Sequence, residues 1–199
     1  WLQAMRASLR GNAGTNVPCG DCVGCCVSGY PVPIRPEDAL EAVLPKEFLV
    51  PVSAVSRMLV ARPDGTCPML NDRQCSIYSS RPQTCRDYDC RIFAAAGIDA
   101  GGEDRSVINK RVRAWRFTYE GVGEQRMHEA MKATARFIVH QAEAFPGWVP
   151  TAPTGIAVLA VKAFEVFLDP ATASLPAERV AMAILAASRE FDRPSERSQ

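Results

Sequence analysis

Histidine is almost missing from this chain of 199 residues: His128 and His140 are the only two. They fall twelve apart in one predicted helix, too far to share a metal from it, and each reads as an ordinary helical residue. Any metal is then held mainly by thiolates, which favours zinc or iron–sulfur over calcium, magnesium or haem. Strong charge is missing too. The formal net charge is +1, so composition gives no reason to expect nucleic acid or an anionic membrane as a partner. One local excess, Arg105, Lys110, Arg111, Arg113 and Arg116 with no acid among them, reads as a solvated basic face. No long apolar run exists. The best stretch, Gly155 to Leu168, carries Lys162 and Glu165 and is too short for a membrane span.

"WLQAMRASLRGNAGTN" has no continuous apolar stretch and no A-x-A site, so no secretory leader is expected there and the protein is expected to be soluble and cytoplasmic. No G-x-G-x-x-G follows a predicted strand, which counts against a nucleotide-like cofactor. From Gly97 to Gln199 there is no cysteine at all.

All eight cysteines lie between residues 19 and 90. A chain this long can bury a core without disulfide staples, and tight cytoplasmic cysteine clusters more often hold metal or do redox chemistry. "CGDCVGCC" sets Cys19, Cys22 and Cys25 at C-x2-C-x2-C with Cys26 adjacent. Such a triplet wraps a loop round a metal or cluster, and Gly20, Gly24 and Gly29 suit the bends. Zinc knuckles use C-x2-C in two separated copies, and a third and fourth cysteine exceed one knuckle. Side chains in an extended loop alternate, so Cys25 and Cys26 are expected to point apart. They would then serve two centres or one polynuclear cluster.

The second group, "CPMLNDRQCSIYSSRPQTCRDYDC", holds Cys67, Cys75, Cys85 and Cys90 at irregular spacing. Cys67-Pro68 matches the Cys-Pro that closes a bacterial ferredoxin run, but lies about forty residues on instead of three. Eight thiols suffice for two sites of four. Arg73, Arg81, Arg86 and Arg91 interleave with them, and would offset the net charge of about −2 on four thiolates round Zn²⁺ or a [4Fe–4S]²⁺ core.

The expected fold is mainly α with minor β, an irregular cysteine-rich metal-binding N-terminal half packed on a helical C-terminal half. Residues 1–96 form the metal-binding region and 97–199 the helical region, within one globular unit. "RPEDALEAVL" (35–44) is expected to be helical until Pro45, and "VSAVSRMLVA" (52–61) a helix or a strand. Period two at Arg113, Trp115, Phe117 and Tyr119 predicts a strand over "RVRAWRFTYE". The clearest helix is 124–145, with Met127, Met131, Thr134, Ile138, Ala142 and Phe145 on one face; "GIAVLAVKAFEVFL" and "PAERVAMAILAASREF" are two more. "AAGIDAGGED" reads as a linker and "DRPSERSQ" as a frayed end.

The two cysteine stretches together resemble the bacterial YkgJ-like cysteine-cluster family, marked by C-x2-C-x2-C-C and a later C-P-x-L, C-S-I-Y-x-x-R-P-x-x-C-R pattern. "PVPIRPEDAL" also resembles the segment that follows the cluster in many members. The likeness spans about residues 19–91 and implies a zinc- or iron-chelating domain, often described as an iron–sulfur oxidoreductase. A related cluster accompanies flagellin lysine N-methylases. It implies structural roles for Ile77, Tyr78, Arg81 and Pro82, with Ser76 to Tyr78 turning beside Cys75, Tyr78 packed on the site, and Pro82 opening a helix that carries Cys85. Asp21, Asp87, Tyr88 and Asp89 are further candidate ligands or proton carriers, each expected to face solvent.

The expected ligands are Cys19, Cys22, Cys25, Cys26, Cys67, Cys75, Cys85 and Cys90, holding an iron–sulfur cluster or iron for electron transfer or oxidoreduction. One partition sets Cys19, Cys22, Cys25 and Cys90 against Cys26, Cys67, Cys75 and Cys85. A redox or protein partner is expected, but no nucleic acid or membrane. The alternatives are a structural zinc module binding a protein partner, and a protein side-chain transferase.

Overall fold

Apolar residues recur every three or four positions through the second half of the chain, and that half folds as helices. The computed structural model describes residues 1–11, 17, 19–40 and 42–193. Part of the N-terminal stretch read above, Glu41, and residues 194–199 of the expected frayed end lie outside the described residues. The helices are α1 (Leu2–Leu9), α2 (Gln83–Asp87), α3 (Arg91–Ala96), α4 (Ser106–Ala114), α5 (Val122–His140), α6 (Pro153–Ala163) and α7 (Ala177–Phe191). The strands are short: β1 (Val32–Ile34), β2 (Leu49–Pro51), β3 (Arg57–Leu59), β4 (Leu70–Asn71) and β5 (Gln74–Cys75). The protein is mainly helical with minor strand, and its cysteines sit in an N-terminal half against which the helical half packs.

The larger core gathers Met131, Ala135 and Ile138 of α5, Ala157, Ala160 and Val161 of α6, Phe93 of α3 and Ile184 of α7. Helix α5 packs on α3 and α6, and α7 on α6. Helix α1 lies on α6, where Arg6 is buried but not stranded. Its Nη1 donates to the Val161 carbonyl at 3.3 Å, its Nη2 stands 3.2 Å from Glu165, and its guanidinium lies over Phe164 and Phe191.

A second, smaller core holds Ile34, Leu40, Leu44, Leu59, Met69 and Ile77, with Cys67 and Cys75 packed against it. An antiparallel sheet in the order β1-β3-β2 contributes to it, with Val32 and Leu49 on either side of Leu59.

Several sequence expectations give way here. Among the described residues of 35–44 there is a 3-10 turn, Pro36–Asp38, instead of the expected helix, because Ala39 swings into the left-handed region at φ 52°. The Asp38 carboxylate accepts the Arg35 N–H at 2.9 Å and the Gln83 N–H at 2.7 Å, while Leu40 and Leu44 turn into the small core. Residues 52–61 contain β3 and a turn fixed by a 2.7 Å contact between Ser53 and Ser56. The strand expected over 111–120 is absent: α4 runs to Ala114 and the rest is unpaired. Trp115 and Phe117 do alternate inward with exposed Arg116 and Thr118, but they pack on side chains instead of a neighbouring strand. The helix over 124–145 stops at His140, and a short turn brings Phe145 into the core. The glycine-rich stretch after α3 is pinned, since the Asn109 side chain accepts the Ala100 N–H at 2.7 Å and donates to the Gly101 carbonyl at 2.9 Å.

The basic segment is only partly a solvated face. Lys110, Arg113 and Arg116 are exposed, but Arg105 lies over Tyr30 at 4.1 Å and Arg111 over Trp115 at 4.2 Å.

His128 shares a 2.7 Å hydrogen bond with the Tyr119 hydroxyl and meets Phe117 edge-on. Burial pulls its pKa down to about 4. An unfolded histidine titrates near about 6.5, so between those values the unfolded chain binds more protons. Stability should therefore fall as pH drops from 6.5 towards 4. His128→Phe should lessen that fall, which thermal melts at stepped pH would measure.

Candidate metal centre

The first cysteine group folds as a loop around a 3-10 turn, Gly24–Val27. Gly20 at φ 55° and Gly29 at φ 64° turn the chain where a side chain would be strained. Gly24 is needed for another reason: a Cβ there would stand 3.0 Å from Ile108 Cα, so α4 packs directly on the turn. The turn also overturns the expected divergence of the adjacent pair. Successive residues of a 3-10 turn are about 120° apart, not alternating as in extended chain. The Cys25 and Cys26 sulfurs therefore lie 3.8 Å from each other.

The second group is brought to the first by two backbone bonds. Cys67 N–H donates to the Cys26 carbonyl at 2.6 Å, and Gly29 N–H to the Gly65 carbonyl at 2.9 Å. Arg62, which sequence reading missed, holds the Cys67 loop by donating to the Pro68 carbonyl at 2.8 Å and the Leu70 carbonyl at 3.3 Å. Cys75 comes back opposite Leu70 through a hairpin turn whose central residues, Asp72 and Arg73, both have positive φ.

Helix α2 carries Cys85 and is clamped to β1. Thr84 donates to the Pro33 carbonyl at 2.8 Å, Asp38 caps the Gln83 N–H, and Arg35 stands 3.6 Å from Asp87. Pro82 sits at the N-cap, not inside the first turn. Cys90 is the N-cap of α3 and is buried at 8% exposure in the larger core. So the cysteines bridge the two cores, Cys67 and Cys75 on the smaller and Cys90 on the larger.

All eight thiols are free, and each lies in the field of at least one other. Burial first, then Cys25 and Cys22, pushes the Cys19 thiol up, with Arg111 and Arg81 opposing. Burial, then Cys75 and Cys25, raises Cys67 against a hydrogen bond from the Met69 backbone. Burial with Cys25, Cys67 and Cys75 pushes Cys85 up to about 12. Cys90 is pushed up to about 11 by burial, then by Asp89, Cys19 and Cys22, with Trp115 opposing. The hydrogen bond with Cys26, then burial, raises Cys25, whose thiol is crowded although the residue reaches solvent. Cys25 stands at the middle: it acts on Cys19, Cys67 and Cys85.

Among the described residues no three of His, Cys, Asp and Glu already close round a single ion. The donor set nonetheless suits a thiolate-bound metal. Gly24 N–H donates to Cys22 Sγ at 3.4 Å and Trp115 Nε1–H to Cys90 Sγ at 3.3 Å, and such bonds stabilise ligating sulfur.

The other candidates divide. Asp89 does not face solvent: it is 4% exposed, 2.7 Å from Arg91, and accepts the Trp1 indole N–H at 3.0 Å. Tyr88 is half-buried against Tyr30, 5.4 Å between rings, and burial raises its phenol. Asp21 is exposed and Asp87 intermediate. Tyr78 is 54% exposed beneath the Arg81 guanidinium, so it does not pack on the site, whereas Ile77 is buried. Of the interleaved arginines, Arg81 acts on Cys19 and Cys85, Arg91 pairs with Asp89, and Arg73 is exposed in its turn. Trp115 had no signal in the sequence beyond a false strand pattern.

These features define a helix-backed cysteine-cluster protein. Residues 18–109, a little under half of the chain, match the model of the CxxCxxCC family, described as a "Putative zinc- or iron-chelating domain". That segment is similar to such a domain, and the match supports both the family the sequence resembles and metal binding by zinc or iron. No curated protein and no solved structure matched the chain.

Two outcomes follow from this geometry. Gly24→Ala must push α4 off the cysteine turn and should cost about 1–3 kcal/mol in denaturant unfolding, the usual price of overpacking. The thiolate is the nucleophile, so a Cys85 pKa near 12 keeps it mostly protonated at ordinary pH. Alkylation of Cys85 in metal-free protein should still climb about tenfold per pH unit beyond pH 9, where an ordinary thiol has levelled off; peptide mapping after timed iodoacetamide treatment would show it.

Proposed function

We propose that the eight cysteines hold iron as thiolate ligands in two adjoining sets, and that the protein transfers electrons or carries out an oxidoreduction at that centre. The observation that carries this is the linked field of the eight thiols: Cys25 acts on Cys19, Cys67 and Cys85 and stands beside Cys26, Cys75 acts on Cys67 and Cys85, and Cys22 acts on Cys19 and Cys90. Cys19, Cys22 and Cys90 act on one another, as do Cys67, Cys75 and Cys85. That fits Cys19, Cys22 and Cys90 in one set and Cys67, Cys75 and Cys85 in the other; the proposal completes the first with Cys25 and the second with Cys26, with residues 1–96 as the binding region and 97–199 as its helical backing. Bound iron, alone or with sulfide, would supply one-electron chemistry. The chain's part is to bind it, to donate N–H groups to Cys22 and Cys90, and to set positive charge from Arg81 and Arg111 nearby. The Cys25 residue reaches solvent, and that gives a redox partner its approach.

One distance favours a second reading, structural zinc. Two sulfurs bound at about 2.3 Å to one tetrahedral ion stand about 3.8 Å apart, the separation of Cys25 and Cys26. The metal would then join the two cores.

Anaerobic purification with elemental analysis separates these. Brown protein with broad visible absorption and bound iron supports the redox reading. Colourless protein with about two zinc ions per chain overturns it in favour of zinc. Metal-free protein in which all eight thiols titrate overturns both. In either metal form, chelation should strip amide-exchange protection from residues 19–90 before α5 and α6, since metal binding supplies folding free energy to its own ligands.

A further inference from the structure

The indole of Trp115, which lies beyond the matched residues 18–109, reaches back to the cysteine cluster. We propose that Trp115 is a positioning residue for the metal centre, its Nε1–H fixing the Cys90 sulfur as a thiolate ligand. This rests on the thiolate reading of the site.

The indole nitrogen can only donate, so the direction of the 3.3 Å bond to Cys90 Sγ is not ambiguous. A neutral thiol is a weak acceptor that carries its own hydrogen, whereas a thiolate is strengthened by an N–H aimed at it. The ring is held for this task. The Arg111 guanidinium lies over it at 4.2 Å and that of Arg91 at 5.8 Å. Cations on the ring face fix its plane and draw electron density from it.

The neighbouring charge is handled separately. Asp89, next to Cys90 in the chain, would repel a thiolate, but its carboxylate is engaged by Arg91 at 2.7 Å and by Trp1 Nε1–H at 3.0 Å. One indole thus serves the carboxylate and the other the sulfur. Cys90 is buried among apolar side chains of the larger core and lies in the field of Cys19 and Cys22. It therefore ties the centre to the helical half, and Trp115, following directly on α4, couples the basic helix that packs on Gly24 to the same sulfur.

The test is titration of cobalt(II) into the full-length metal-free protein, followed by thiolate-to-cobalt absorption in the near ultraviolet. Cys90→Ser should lose one thiolate's share of that intensity. Trp115→Phe keeps a ring and removes only the N–H. It should retain the intensity, move the band to lower energy, and weaken cobalt affinity by about tenfold, as loss of an outer-shell partner does. A role confined to packing would leave the band energy unmoved. Should Trp115→Phe fail to fold, the unaltered chain still decides. One indole N–H signal, retained in the Trp1→Phe and Trp148→Phe variants, should shift and exchange more slowly when cadmium(II) binds. An unchanged band and affinity in Trp115→Phe, an unmoved indole signal, or full intensity in Cys90→Ser overturns the proposal. Wild-type protein with no thiolate–cobalt absorption would overturn the metal reading itself, a separate result.

Discussion

Thiolates repel one another, and in a partly desolvated space they ionise together only where a cation shares it. Eight thiols lie in one another's fields here, and Cys19, Cys25, Cys67, Cys85 and Cys90 are held towards their neutral forms by burial and by their neighbours. Arginines oppose this only in part: Arg111 and Arg81 act on Cys19, Arg62 on Cys67 and Arg81 on Cys85, yet these thiols stay raised, and Arg91 is engaged by Asp89. The architecture around the thiols makes sense as a holder for positive charge, which zinc or iron would supply, in keeping with the likeness of residues 18–109 to a chelating domain.

The holder is built at a junction. The small core backs Cys67 and Cys75, and the large core encloses Cys90. Between them the first loop is tied to the second by the Cys26 carbonyl and the Gly29 N–H, and α4 presses on Gly24 from the other side. The small core, with six buried side chains among the described residues, removes little apolar surface from water, so its stability gains from any ion that binds ligands on both sides. Binding and folding of this half are then one equilibrium.

Part of this was legible in the sequence because its cause is local. Three- and four-residue spacing of apolar side chains in α5, α6 and α7 requires no partner to be recognised, and these helices appear there, although α5 ends at His140 and α6 at Ala163, short of the pattern. The confinement of cysteine to residues 19–90, with histidine nearly absent, fixed the chemistry of the donor set. Other features escaped because their cause is a distant contact. Asp38 looked like the acidic start of a helix, yet its carboxylate caps α2 forty-five positions away. Period two at Trp115 and Phe117 was real, but the residues that receive those rings are Cys90, Trp1 and His128. The hairpin bearing Cys75 turns on Asp72-Arg73, without the Asn-Gly or Asp-Gly pair that marks such turns.

The adjacent cysteines show the division most clearly. The sequence alone determined that eight thiols cluster in the first half and that amphipathic helices follow them, since residue type and spacing are intrinsic to the chain. Only the tertiary structure decided where those thiols point. The 3-10 turn at Gly24 exists because α4 packs on a residue without a side chain, and that turn sets the Cys25 and Cys26 sulfurs together instead of apart. Side-chain direction follows backbone geometry, and the backbone here is shaped by an element more than eighty residues further on.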